Sequence, residues 1–375
     1  MTALLPNIDP DGLLEYSVVF TDRSLNHMSQ SFQTVMTDIS SALKSTYNAE
    51  AVALVPGGGT YAMEAVARQF ATDKKCLVIR NGWFSYRWTQ IFEAGNIPSQ
   101  SIVMKAAPLS TESQSPFAPP AIADVVNTIL IEKPEMVFAP HVETSSGIML
   151  PNDYIRQMSD AVHSVGGLLV LDCVASGTIW IDIEATGVDL LISAPQKGWS
   201  ASPSCGLVML SANALTKIHT TKSTSFACDL LKWLQIMQAY ENGGHAYHAT
   251  LPTDALTNFR DTIKESEIYG FDKVRDEQQE LGDKVRALLA HKGFISVAAD
   301  GFGAPGVVVC YTDDSGIQNG KKFSEQGLQI AAGVPLQCDE SEDFRTFRLG
   351  LFGLDKLHNI NRTVASLEQA LNKIL

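Results

Sequence analysis

The sequence predicts an α/β fold, in which a mostly parallel sheet covered by helices on both faces is followed by a smaller α+β unit. Three observations lead there. Apolar runs short enough to be buried strands recur at 51–56, 76–79, 136–139, 168–171, 190–192 and 207–210, with helical periodicity between several of them. Strands alternating with helices are the signature of a parallel sheet. Glycine and polar residues collect just after these runs, at Gly57–Thr60, Asn81–Gly82, 141–147 and 193–197, and the carboxyl ends of parallel strands are where such sheets hold ligands. After about residue 255 the pattern changes to a long charged-and-apolar helical segment followed by isolated strands. Residues 20–255 are therefore read as a large domain, and 1–19 with 256–375 as a small one.

The elements are taken in order. Residues 1–19, with Pro6, Pro10 and Gly12, read as an arm, and apolar spacing turns helical at 31–45. A strand at 51–56, a tight turn at Gly57-Gly58-Gly59-Thr60 and a helix at 61–71 come next. The stretch 166–181 is nearly apolar but short for a bilayer span, and it contains Asp172, so it reads as a buried sheet segment. Residues 254–291 read as helix interrupted at Tyr269-Gly270-Phe271. Strands at 306–311 and 344–349 and helices around 316–329 and 355–375 complete the chain, which has no internal repeat.

Composition narrows the function. The 375 residues are 45% hydrophobic and 18% charged, the balance of a globular protein. Lys and Arg number 28 against 41 Asp and Glu, so the net charge is −13, which argues against nucleic acid or an anionic membrane as the main partner. Cys76, Cys173, Cys205, Cys228, Cys310 and Cys338 lack metal-type spacing, and the amino terminus lacks a basic start and apolar core. The expectation is a cytoplasmic protein with reduced thiols.

The chemistry centres on Lys197 and Asp172, each placed where a predicted strand ends. A lysine can condense with an aldehyde, and a carboxylate can keep a pyridine nitrogen protonated, so this pair suits pyridoxal phosphate. The glycines at 57–59 allow close approach of backbone to an anion, and a helix start offers free amides. Gly57, Gly59 and Ala62 also satisfy the dinucleotide fingerprint G-x-G-x-x-A, and Arg80 at the end of the next strand would suit an NADP phosphate. Phe84, within 81–88, is an aromatic able to stack on a flat ring. Arg348 offers a planar fork for a carboxylate.

In this order and spacing the segments resemble the class-V aminotransferases, nearest to the alanine–glyoxylate and serine–pyruvate branch that also includes 2-aminoethylphosphonate transaminases. The resemblance runs from about residue 50 to 353, and Asp172 followed by Ser193-Ala194-Pro195-Gln196-Lys197 is its most specific piece. It implies the type I fold of pyridoxal-phosphate-dependent transferases, with a seven-stranded sheet. It implies that Lys197 carries the cofactor covalently and Asp172 bonds its pyridine nitrogen. Gly58, Gly59 and Thr60 would bind the phosphate with help from Gln196, Phe84 would cover the ring, and Thr144 or Ser145 would lie near the ring hydroxyl. Arg348 matches the family's α-carboxylate arginine. Tyr247 and Thr250 match residues that reach the phosphate of a partner subunit, which implies a homodimer.

The implied activity moves an amino group from an alanine- or serine-like donor to a glyoxylate- or pyruvate-like acceptor in a ping-pong cycle. Departures from the family pattern are Ser85 in the aromatic-Gly-x-Arg motif, Gly58 where many members have serine, and a loosely matching 23–32 segment. A 2-aminoethylphosphonate donor would need another cation, with Arg23, Arg87 and Arg345 the candidates. A cysteine desulfurase or lyase would need a sulfur carrier, for which Cys338 is the candidate. A binding protein without catalysis and an NADP-binding oxidoreductase are the readings from other classes.

Overall fold

The computed structural model describes residues 8, 9 and 12–375. The amino-terminal reading at residues 1–7, 10 and 11 lies outside the described residues. Seven strands form the central sheet, in the order Ala51–Pro56, Cys205–Leu210, Leu190–Ser193, Leu168–Asp172, Met136–Pro140, Lys75–Arg80, Gln100–Lys105. Cys205–Leu210 runs against both neighbours, and every other pairing is parallel. The inner strands are continuous apolar runs because both faces are covered by helices, and every residue of Met136–Pro140, Leu168–Asp172 and Leu190–Ser193 is buried. The Gln100–Lys105 strand is absent from the sequence reading. It is an edge strand with an exposed polar start, so no apolar run announces it.

Helix Gln30–Tyr47 begins where the Ser29 hydroxyl accepts the Phe32 amide, and it buries Phe32, Val35, Met36, Ile39 and Leu43 on one stripe. Helix Gly59–Phe70 lies close against the antiparallel strand. A Cβ added at Gly206 would come within 2.4 Å of the Ala62 Cβ and 2.7 Å of the Gly58 carbonyl oxygen. Only glycine at 206 lets this helix start stand over the sheet edge. The break expected in the long helical segment is Gly270, φ 102°, between helices Thr253–Tyr269 and Phe271–His291.

The large core runs from Leu25 to Ile263, so helix Thr253–Tyr269 contributes Leu256, Phe259 and Ile263 to it. A second core gathers Val274, Leu281 and Val285 with Val308, Phe347, Leu349 and Leu371. Its three-stranded antiparallel sheet has the order Val307–Tyr311, Thr346–Gly350, Ala331–Ala332. Three expectations are corrected. The helix around 316–329 is two single turns, Ser315–Gln318 and Lys321–Ser324, separated at Gly320, φ 79°, a conformation that ends helices. The terminal helix is split into Leu354–Leu357 and Ile360–Ile374. In the 166–181 stretch the strand stops at Asp172, and the residues beyond it form a largely buried loop.

Side chains join the two cores beside the carboxyl ends of the strands. The Leu354 amide donates to Ser200 Oγ at 3.0 Å, and Thr178 Oγ1 donates to the Val274 carbonyl at 3.1 Å. Gly198 is wedged against the loop beyond Asp172, where an added Cβ would stand 1.9 Å from the Gly177 carbonyl oxygen. Gly198→Ala is therefore expected to cost about 1–3 kcal/mol through overpacking, measured by denaturant unfolding. An unchanged midpoint would show that these loops yield without strain.

Candidate active site

Six strands of one direction end at the same sheet edge, and five of them hand a polar segment to the site there. Register places Asp172 beside Pro140 on one side and Ile192 on the other. The chain leaving Leu190–Ser193 then turns back through Gln196 and Lys197. Gly59, Thr60, Phe84, Thr144, Asp172, Gln196 and Lys197 line a single cleft, together with Arg87. Among the described residues no group of three or more His, Cys, Asp and Glu side chains is arranged to hold a metal ion.

The two titratable groups at the centre are both pushed toward neutrality. Burial raises the Asp172 carboxyl to about 6, the Val174 amide at 2.9 Å from Oδ1 opposes the shift, and the nearby Glu143 charge adds to it. Burial lowers the Lys197 amine below the ordinary lysine value, against the attraction of Asp172. A less basic amine is a better nucleophile near neutral pH. Lys197 Nζ lies 6.0 Å from the centroid of Phe84 and 5.5 Å from that of Phe352.

Phe84 is held by a carboxylate that sequence reasoning passed over. Glu143 is fully buried and accepts the Phe84 amide at 3.2 Å, the Ser85 amide at 2.8 Å and the Ser85 hydroxyl at 2.7 Å. It thereby satisfies the exposed amides that open helix Trp83–Gly95, where a negative charge is favoured. Ser145 belongs to the same network, donating to Glu143 at 2.7 Å and accepting the Trp83 amide at 2.8 Å. The readable signal was a pair of segments, Asn81-Gly82 and Glu143-Thr144-Ser145, each ordinary alone. A Cβ at Gly82 would sit 2.0 Å from Ser145 Oγ, which shows how tightly they fit.

Of the two hydroxyls expected near a ring, Thr144 lines the cleft and its buried Oγ1 has no partner among the described residues. Ser145 is occupied by Glu143 and the start of helix Trp83–Gly95. Helix Gly59–Phe70 opens at Gly58 without a side-chain cap, so its first amides are unclaimed by the chain's own side chains, and Gly59 and Thr60 line the cleft. Thr60 Oγ1 accepts from Arg87 Nη1 at 2.8 Å. Arg348, on strand Thr346–Gly350, donates through Nε to the Ala332 carbonyl at 2.8 Å and stands with Cζ 5.8 Å from the Phe84 centroid. Tyr247 and Thr250 are exposed outside the cleft of their own chain, their hydroxyls 3.2 Å apart.

The residues named for other chemistries are spent in packing. Arg80 is buried, donates to Thr89 Oγ1 at 2.9 Å and the Gln337 carbonyl at 3.2 Å, and lies over Tyr86. Cys338 is buried against the Arg80 carbonyl, and burial pushes its thiol up to about 12. A thiol so protonated is a poor sulfur carrier.

Fold and site together are those of a transaminase, a lysine and a carboxylate facing one cleft at the carboxyl edge of a largely parallel sheet. The chain belongs to the aminotransferase class-V family, whose profile matches residues 13–333. It is 27% identical to the 2-aminoethylphosphonate–pyruvate transaminase of Vibrio vulnificus (strain CMCP6), over 85% of this chain and 83% of that protein. It is 25% identical to the alanine–glyoxylate aminotransferase of Oryctolagus cuniculus over 92% and 86%. It is 23% identical to a protein named soluble hydrogenase 42 kDa subunit from Anabaena cylindrica over 92% and 87%. The crystal structure of an alanine–glyoxylate aminotransferase from Nostoc sp. has the same fold, with a TM-score of 0.76 at 21% identity, covering 92% of this chain and 88% of that one. The architecture is the type I fold of pyridoxal-phosphate-dependent transferases.

The raised Asp172 value has a measurable consequence in the cofactor-free protein. A carboxyl whose folded pKa exceeds its unfolded one stabilises the fold at low pH and loses that contribution as pH rises through the folded value. Relative to Asp172→Asn, the wild type is expected to gain thermal stability as pH falls from above 6 toward the ordinary value of 3.8. A stability difference that does not change with pH would show that the carboxyl titrates normally.

Proposed function

We propose that the protein is a pyridoxal-phosphate-dependent aminotransferase that moves an amino group from a small alanine- or serine-like amino acid to a glyoxylate- or pyruvate-like 2-oxo acid, in two half-reactions of a ping-pong cycle. The observation that carries this reading is one cleft holding Lys197 and Asp172, both shifted toward neutrality by burial. The residues present fit the cofactor. The orphaned Thr144 hydroxyl and the first residues of an uncapped helix, Gly59 and Thr60, line the same cleft, and both suit a polar ligand. Lys197 would hold the cofactor covalently, Asp172 its ring nitrogen, and Phe84 one ring face. Thr144 is favoured near the ring hydroxyl over Ser145, which Glu143 already engages. Gly58, Gly59, Thr60 and Gln196 would take the phosphate.

When bound, the cofactor supplies an electron-withdrawing ring that accepts the electron pair left on the substrate's α-carbon. The chain's own residues do the rest. Lys197 Nζ, once released by the incoming amino group, accepts the α-carbon proton as a general base, a task matched to an amine of lowered pKa. Asp172 holds a proton on the ring nitrogen by opposite charge. Arg348 binds the α-carboxylate through its terminal nitrogens while Ala332 holds its Nε.

Tyr247 and Thr250, exposed and outside their own cleft, support a homodimer in which they reach the partner's cofactor phosphate. The expected division into residues 20–255 and 1–19 with 256–375 draws support from the separate cores, except that Leu256, Phe259 and Ile263 pack into the larger one, which favours a join nearer Gly270. Six free, buried cysteines support a cytoplasmic setting. No helix among the described residues is long and apolar enough to cross a membrane. The second reading, a 2-aminoethylphosphonate donor, draws on the Vibrio relative and on Arg87, which lines the cleft whereas Arg23 and Arg345 are exposed and absent from its lining.

Lys197→Ala is expected to abolish turnover, and borohydride reduction of the wild-type holoenzyme is expected to bleach its visible band and leave the vitamer adduct on Lys197 in the digest. Multiple turnover by the variant, or an adduct elsewhere, refutes the assignment. Arg348→Ala is expected to raise KM for carboxylate substrates about tenfold to a hundredfold, and Arg348→Lys less. Equal effects would remove the forked contact. A donor-by-acceptor screen then chooses between alanine or serine and the phosphonate.

A further inference from the structure

We propose that Arg87 is the cation that balances the cofactor's phosphate, an inference that rests on the pyridoxal phosphate reading of the cleft. The phosphate carries close to two negative charges at neutral pH, and the groups that would cradle it are all neutral: the first amides of helix Gly59–Phe70, the Thr60 hydroxyl and Gln196. The charged side chains lining the cleft are Asp172, Lys197 and Arg87. The first two are committed to the ring nitrogen and the aldehyde, and Arg348 to the substrate carboxylate. Arg87 is left as the unassigned positive charge on the lining.

Its placement fits that role. Arg87 Nη1 donates to Thr60 Oγ1 at 2.8 Å, so the guanidinium reaches the first turn of the helix that would hold the phosphate. Accepting that bond turns the Thr60 hydroxyl proton outward, free to donate to an anion. Among the described residues Arg87 forms no ion pair with a carboxylate, and Thr60 is its hydrogen-bond partner. Arg87 also stands three residues after Phe84 on helix Trp83–Gly95, with Cζ 5.1 Å from the Phe84 centroid. Positions three apart share a helix face, so one helix presents both the aromatic that covers the ring and the cation that faces the phosphate.

The test compares dissociation constants of the resolved apoprotein for pyridoxal phosphate and for pyridoxal, which lacks the phosphate, in wild type, Arg87→Met and Arg87→Lys. Arg87→Met is expected to weaken pyridoxal phosphate about tenfold to a hundredfold, the size of one charge-assisted contact, with pyridoxal affinity unchanged. Arg87→Lys, which keeps the charge but loses the fork, is expected to fall between. Pyridoxal binding shows in the same experiment that the variant site is folded. Equal losses for both vitamers in both variants would make Arg87 a merely structural residue and overturn the proposal. Unchanged cofactor affinity with a raised KM for the amino donor would assign it to substrate and equally overturn it. A wild type that forms no reducible adduct at Lys197 with either vitamer defeats the underlying cofactor reading, an outcome distinct from failure of the Arg87 role alone.

Discussion

Parallel pairing of Leu168–Asp172 with Leu190–Ser193 is the constraint on which the site depends. That register sets Asp172 against Ile192, so the carboxylate ending one strand and the lysine beyond the end of the next share one edge. The ladder fixes where the two segments leave the sheet, and the turn after Ser193 carries Lys197 back to that edge. The ladder is anchored by strands whose residues are buried throughout, in a core that continues into the helices on both faces. Rigid placement matters because proton transfer needs its partners held within hydrogen-bond reach.

Around that edge, burial sets the electrostatics. Removing Asp172 and Lys197 from water disfavours the charged form of each, and their mutual attraction offsets part of that penalty. The cleft therefore stores two groups that a ligand carrying opposite charges at matching positions would restore. Arg348 and Arg87 extend the same logic outward around Phe84, with guanidinium carbons 5.8 and 5.1 Å from its ring centre. The smaller core contributes Arg348 and touches the Lys197 loop through the bond from Leu354 to Ser200, so the two cores meet where the chemistry is proposed.

Much of this was legible in the chain. Buried parallel strands announce themselves as apolar runs, and Asp172 and Lys197 stood out because each interrupts the polarity pattern at the end of such a run. Gly270 was readable because two periodic helices met at it. The features that escaped the sequence were tertiary. The Gln100–Lys105 strand gains its identity from pairing with Lys75–Arg80, and its exposed start hides the pattern. Glu143 looked like one polar residue in a loop, and its importance lies in amides contributed from about sixty residues earlier. The segment after residue 315 has helical composition, but Gly320 and the pairing of Ala331–Ala332 with Thr346–Gly350 divide it. Arg80 and Cys338 looked available for chemistry until their burial was visible.

The Glu143 junction has a consequence for how such a chain can diverge. One anion serves donors from the 82–85 turn and from its own loop, so neither segment is satisfied alone. A chimera that imports the 141–147 loop from a distant relative while retaining the native 81–85 turn would strand a charge or its amides in the interior. The two stretches, far apart in the chain, are physically one unit, and a change in either must be matched in the other.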